Sequence, residues 1–329
     1  MTNFIRQVEG FIGGLLLHYL SEKLVQDAKM IKQEATLPSG LTIHYYERLP
    51  KQTTSTKGHH QDPPTLILCH GLSSEAKVSA KLVASLSQGL PEWRMIIPDM
   101  IGHGHDLERA RSDTFEYPTL PTLVQSTREL LEVLGITQCC AYGISQGGAL
   151  VYFLQQKHPQ IVQKSILISP ALEAVVDVQF LHEMLLRKKN HICVESREDF
   201  QELFHNLSCP HRVVKDPVPT FLLEALWQAR KAKEPPGHFR TFLSTLIDQG
   251  GKDPDWLGCN CDIAPTAQRL LIWPENDFIC NHDKGKAFFS KSPSTKFHSV
   301  PDCGHMFHSN GKTIMELSAP LIIDFLQMV

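Results

Sequence analysis

Short apolar runs recur along the chain at Thr65–Cys69, Arg94–Ile97, Cys139–Tyr142 and Ser165–Ile168, and Leu270–Trp273 and Lys296–Val300 continue the set. Runs of this length are typical of buried strands in a parallel sheet. Helical periodicity fills most of the gaps. In Thr122–Leu134 the apolar positions are Leu123, Val124, Leu130, Leu131, Val133 and Leu134. Gly147–Gln156 and Thr313–Met328 read the same way. Strands alternating with helices predict a mostly parallel sheet covered on both faces. Leu41–Glu47 alternates polar and apolar residues and reads as an edge strand, and the polar stretch Lys51–Pro64 reads as a loop.

The alternation breaks between Ala171 and Ala267. Helical patterns occur there at Val178–Arg187, Arg197–Asn206, Thr220–Ala232 and Phe239–Ile247, with no clear strand. The expected organisation is a core of residues 41–170 and 268–329, a helical cap or lid over 171–267, and an N-terminal helical segment, 1–40. In that segment Phe11–Leu20 reads FIGGLLLHYL. It is too short to span a bilayer, which takes about 20 apolar residues. No small-residue cleavage site follows it. It is expected to form a helix packed on the body or one lying in a membrane interface. The second reading gives peripheral membrane contact through residues 1–20. The expected location is cytoplasmic or peripherally membrane-associated.

Charge narrows the partners. Lys and Arg total 32 against 35 Asp and Glu, a net charge of -3, so the basic excess of a nucleic-acid binder is missing. With 42% hydrophobic and 20% charged residues, the chain is neither disordered, collagenous nor coiled-coil. Nine cysteines in a chain of 329 residues do not make a disulfide-stapled domain. Cys139 and Cys140 are adjacent in a predicted strand and face opposite ways. Most of the nine read as reduced, buried, small hydrophobes. Cys259 and Cys261 lack a second ligand pair, and Gly102-His103-Gly104-His105-Asp106 is followed by Leu107 rather than an acid. No metal is expected at either place.

The strongest chemical signal is Gly143-Ile144-Ser145-Gln146-Gly147. This G-x-S-x-G follows an apolar run and precedes a helical one, the context the motif needs. A sharp strand-to-helix turn requires small residues at Gly143 and Gly147. It lifts Ser145 to a helix N-terminus, where a developing anion is favoured. A serine hydroxyl needs a base oriented by a third group. Downstream, Asp277 follows the run ending at Trp273, and His305 follows the run ending at Val300. Both lie where ligand sites gather in open α/β sheets. Asp277 is taken as the orienting acid and His305 as the base. Glu275 and Asp302 remain rival acids, and His308 a rival base. Oxyanion donors are expected from the backbone N–H groups of Gln146 and of Leu72, in Cys69-His70-Gly71-Leu72. His70 is read as holding that loop.

Together these residues resemble the α/β-hydrolase superfamily. The landmarks are His70-Gly71-Leu72, Asp99-Met100-Ile101-Gly102-His103-Gly104, Gly143-Ile144-Ser145-Gln146-Gly147-Gly148, Asn276-Asp277 and Gly304-His305, in the family's order. Within it the chain is similar to monoacylglycerol lipases and carboxylesterases, notably at Asp302-Cys303-Gly304-His305 and Leu321–Leu326. A serine at the nucleophile position argues against haloalkane dehalogenases and epoxide hydrolases, which carry Asp there. The resemblance implies an α/β-hydrolase fold with a helical cap, and cleavage of carboxylic esters of medium or long acyl chains through an acyl-enzyme. The substrate would be a small-molecule or lipid ester, with no metal or organic cofactor. A thioesterase, a C–C bond hydrolase, or a non-catalytic binding protein on the same fold are the alternatives.

Overall fold

The computed structural model describes residues 16, 18–51, 62–176, 178–186, 192–210, 220–250 and 267–328. Eight strands form one sheet: β1 (Ile31–Thr36), β2 (Thr42–Arg48), β3 (Thr65–Cys69), β4 (Arg94–Pro98), β5 (Cys139–Ile144), β6 (Val162–Ile168), β7 (Gln268–Pro274) and β8 (Thr295–Val300). Their order across the sheet is β1-β2-β4-β3-β5-β6-β7-β8. β1 with β2 and β2 with β4 are antiparallel, and every other pair is parallel.

The parallel strands sort their residues by parity, as a pleat buried on both faces must. Ile67, Cys69, Ala141, Leu271 and Trp273 join one apolar core, with α3 (Leu120–Val133), α4 (Gln146–Lys157) and Phe289 of α9 (His282–Phe289). Leu66, Leu68, Tyr142, Leu270 and Ile272 join the other. That core is covered by α1 (residues 18–27), α2 (Ala80–Gly89) and α10 (Ile314–Gln327). Cys139 belongs to the first core and Cys140 packs against the second.

Two readings need correction. Residues 31–36, inside the segment expected to be helical, form β1. Its sequence IKQEAT buries only Ala35, so it carries no apolar run. β2 is not an edge strand, because β1 pairs with it on the outer side and β4 on the inner. Cys259 and Cys261 lie outside the described residues, as does Phe11.

Between β6 and β7 the described chain forms four helices, α5 (Val178–Leu185), α6 (Arg197–Asn206), α7 (Thr220–Lys233) and α8 (His238–Gly250). Ser196 and Asp199 close a reciprocal capping box on α6. α7 and α8 are tied to the sheet's loops. Arg111 donates to the carbonyls of Ala232 and Lys233, and His238 Nε2–H donates to Gly102 O at 2.8 Å. No described helix is long and apolar enough to cross a membrane.

Candidate active site

Ser145 sits between β5 and α4 with φ +55° and ψ -118°, in the left-handed half of backbone space that a side chain rarely adopts. Three hydrogen bonds hold it there. Its N–H donates to Ile168 O at 2.9 Å, and its carbonyl accepts from Ala149 at 3.0 Å and Ala171 at 2.9 Å. Such strain persists only where the surroundings over-determine it. The flanking glycines are required by contact. A Cβ on Gly143 would lie 2.1 Å from Gly147 O, and one on Gly147 would lie 2.3 Å from Cys69 O. The turn is therefore wedged between its own helix and the end of β3.

Asp277 and His305 come together from the loops after β7 and β8. Asp277 Oδ1 accepts the N–H groups of Ile279 at 2.9 Å and Cys280 at 2.8 Å. Its Oδ2 accepts from His305 Nδ1 at 2.8 Å. The side chains are 0% and 4% exposed, so the pair is shielded from solvent. With Nδ1 donating to a carboxylate, the lone pair of neutral His305 is left on Nε2. The rival residues lie elsewhere. Glu275 and Asp302 are exposed, and His308 Nδ1 accepts from Asn310 N–H. Among the described residues, Asp277, Cys280 and His305 also form a group with ligand atoms within 4.8 Å of one another. Burial, then the neighbouring Asp277, pushes the Cys280 thiol well up.

The loop after β3 runs past Ser145, where a Cβ on Gly71 would sit 3.4 Å from Ser145 Cβ. His70 fixes this loop. Its Nε2 accepts from Met100 N–H at 3.1 Å, so its Nδ1–H donates to Gly71 O at 2.9 Å. Both nitrogens are used by the neutral ring. Burial pulls the His70 pKa down, against a smaller opposing effect of Asp99. Leu72 and Gln146 line the wall that holds Ser145. As the first residue of α4, Gln146 has no helical partner for its N–H.

The glycine–histidine loop after β4 is occupied internally. Asp99 accepts from Ala76 N–H at 2.7 Å and from His105 Nδ1 at 2.6 Å. Burial works against its charge, but these bonds and His70 hold its carboxyl below the usual range. Asp106 Oδ2 accepts from Gly102 N–H at 2.6 Å. The His103 ring lies 5.1 Å from His70 and about as close to Phe239 and Phe242 of α8. His238 and these cap rings escaped the sequence reading, because no spacing pairs them with a loop so far away along the chain.

Ser145 and His305 line one cavity of about 960 Å³ between sheet and cap. Its walls are mostly apolar, with Phe153, Leu172, Leu181, Leu203, Phe204, Leu226, Leu243, Leu246 and Phe307 among them. The volume is at the upper end for a ligand site, and apolar walls around a few convergent polar groups are the usual form of one.

The fold and this arrangement define an α/β hydrolase. The chain belongs to the α/β hydrolase fold family, whose model matches residues 64–312. It is 28% identical over 128 residues to an uncharacterized protein of Mycobacterium tuberculosis, covering 39% of this chain and 33% of that one. It is 30% identical over 112 residues to the magnesium-chelatase 30 kDa subunit of Rhodobacter capsulatus, covering 34% and 36%. The match spans about a third of the length of these curated relatives. Among solved structures it is similar to a membrane phospholipase A described as a bacterial virulence factor, with a TM-score of 0.73, 20% identity, and 96% and 92% of the two chains covered. A lipase, lip1, of Acinetobacter baumannii gives 0.73 at 19% identity, over 94% and 95%. The carboxylesterase CesB of Bacillus subtilis gives 0.65 at 15%, over 96% and 98%. At these identities the likeness establishes the fold alone.

Proposed function

We propose that the chain is a serine hydrolase that cleaves carboxylic esters of medium or long acyl chains. The observation that carries this reading is the shielded Asp277–His305 pair, whose His305 lines the same cavity as Ser145. His305 Nε2 takes the Ser145 proton as Oγ attacks the acyl carbonyl, and the Leu72 and Gln146 N–H groups receive the oxyanion. His305 then returns the proton to the leaving alcohol. Water, activated by the same ring, releases the acid. Apolar side chains outweigh the charged ones that also line the cavity (Glu75, Glu173, Arg230, Lys233, Glu234 and Asp248), which favours a substrate with an acyl chain. Lipase and carboxylesterase neighbours on the same fold support this choice.

Near the N-terminal end of the chain, Leu16 is exposed, as are Tyr19 and Leu20 of α1. We read them as a lipid-facing patch, which suits an enzyme that draws its ester from a membrane. The deciding experiment is kcat/KM across p-nitrophenyl esters from acetyl to palmitoyl, beside 1-monoacylglycerols, with fluorophosphonate labelling of Ser145. A maximum at medium or long chains is expected. A maximum at acetyl, or an unlabelled Ser145, overturns the reading.

A further inference from the structure

The loop that carries His305 leaves β8 at Val300 and rejoins the body at α10. Its backbone partners come in large part from the cap. Leu207 O, just past α6, accepts the N–H groups of Met306 at 2.9 Å and Phe307 at 3.0 Å. Cys209 N–H donates to Phe307 O at 3.1 Å, and Ser208 pairs with Phe307 as a parallel bridge. Gly304 lies so close that a Cβ there would sit 2.4 Å from the Ser208 carbonyl. The same segment reaches the acid's loop, with Cys209 Sγ 3.7 Å from Asn276 Oδ1. Asn276 N–H donates in turn to Cys303 O at 3.0 Å.

We propose that the cap segment Leu207–Cys209 is a positioning strap for His305. Asp277 fixes one edge of the imidazole. The strap fixes the height of the loop beneath the ring, so the seating of α6 sets the geometry of the base. The strap also borders the substrate. Phe204 and Phe307, whose rings are 6.1 Å apart, line the cavity together with Leu207 and Met306. An acyl chain packed against them presses strap and loop together. Binding of remote chain atoms is thereby converted into alignment of the base, so that it raises kcat rather than lowering KM.

This inference rests on the ester-hydrolase reading, and its test separates the two. Cys209→Pro removes the strap's N–H donor, and Gly304→Ala wedges the loop away from Ser208. For each, kcat and KM are measured on an octanoyl ester per serine titrated with a fluorophosphonate, together with the pH profile of kcat/KM. The expected result is a loss of about tenfold to a hundredfold in kcat per titrated site, with KM nearly constant and a displaced acid limb. Cys209→Ala, which keeps the N–H, should recover most of that loss. If only the titratable fraction falls, with kcat per site and the acid limb as in wild type, the segment is plain packing and the proposal is overturned. Should Cys209→Pro not fold, Gly304→Ala read in the same way decides. A wild-type protein that takes no probe at Ser145 overturns the ester reading itself.

Discussion

Asp277 meets His305 with only one of its two oxygens. Oδ2 accepts from Nδ1 at 2.8 Å, while Oδ1 is committed to the N–H groups of Ile279 and Cys280. An asparagine at 277 must keep its carbonyl on those two donors. Its NH2 group then faces His305, and Nδ1 has to accept rather than donate. The ring's proton moves to Nε2, where the lone pair is needed. Asp277→Asn should therefore lower kcat by about ten-thousandfold with the fold intact, the size of loss seen when a triad acid becomes an amide. Ester kinetics beside a melting curve check this. A loss of less than about tenfold would show that this carboxylate does not orient the base.

Ser145 tests nucleophile and strain together. Ser145→Ala should remove activity by about a millionfold, as nucleophile removal does in other triads. Alanine still carries a Cβ at φ +55°, so its melting temperature should stay near wild type. Ser145→Gly should be equally inactive yet melt higher than the alanine variant. A strained backbone position of this kind costs on the order of 1–3 kcal/mol, and glycine relieves it. Equal melting temperatures for the two variants would mean the elbow is not strained.

Much of this site was legible in the sequence because its residues obey one rule. Ser145, Asp277 and His305 each stand past the C-terminal end of a strand, and the apolar runs through β5 and β7 are conspicuous, whereas β8 reads TKFHSV and buries only Val300. The pattern failed where apolar content is low. β1 has five exposed positions of six, so its pairing with β2 left no trace. β2 was then mistaken for the sheet edge. Contacts between cap and loops were also hidden. Leu207–Cys209 holds the His305 loop mainly by backbone hydrogen bonds, which any residues can make, so no side-chain signature marks the pair.

Three buried histidines make stability depend on pH. Burial lowers the pKa values of His70, His103 and His238, most strongly for His103. The folded state therefore holds a proton on each ring less readily than the unfolded chain, which takes one up below about pH 6.5. The unfolded state binds more protons there, so stability falls as pH drops below about 6.5 and is unaffected by these groups above it. Each histidine contributes up to about 1.4 kcal/mol per pH unit. Urea midpoints between pH 8 and 5 should show this decline. In His103→Phe, which keeps a ring between Phe239 and Phe242, the slope should be shallower by about one proton. An unchanged slope would mean that His103 titrates normally in the fold.

The cavity itself predicts how acyl preference can be moved. Leu246 of α8 lines it from the cap side and is only partly buried, so part of its side chain borders open space. Leu246→Trp adds an indole where the distal part of a long acyl chain would pack, and leaves Ser145, Asp277 and His305 untouched. A short acyl group does not reach that wall, while a long one collides with it or gives up its apolar contact. Each buried methylene is worth about 0.8 kcal/mol, so excluding two or three of them costs a factor of roughly fifteen to sixty in kcat/KM. The ratio of decanoyl to acetyl ester hydrolysis should fall by about that factor. If both esters lose equally, the tryptophan has disturbed the cap as a whole. If the ratio rises, the acyl chain runs along another wall, and Phe204 and Phe307 become the side to fill next.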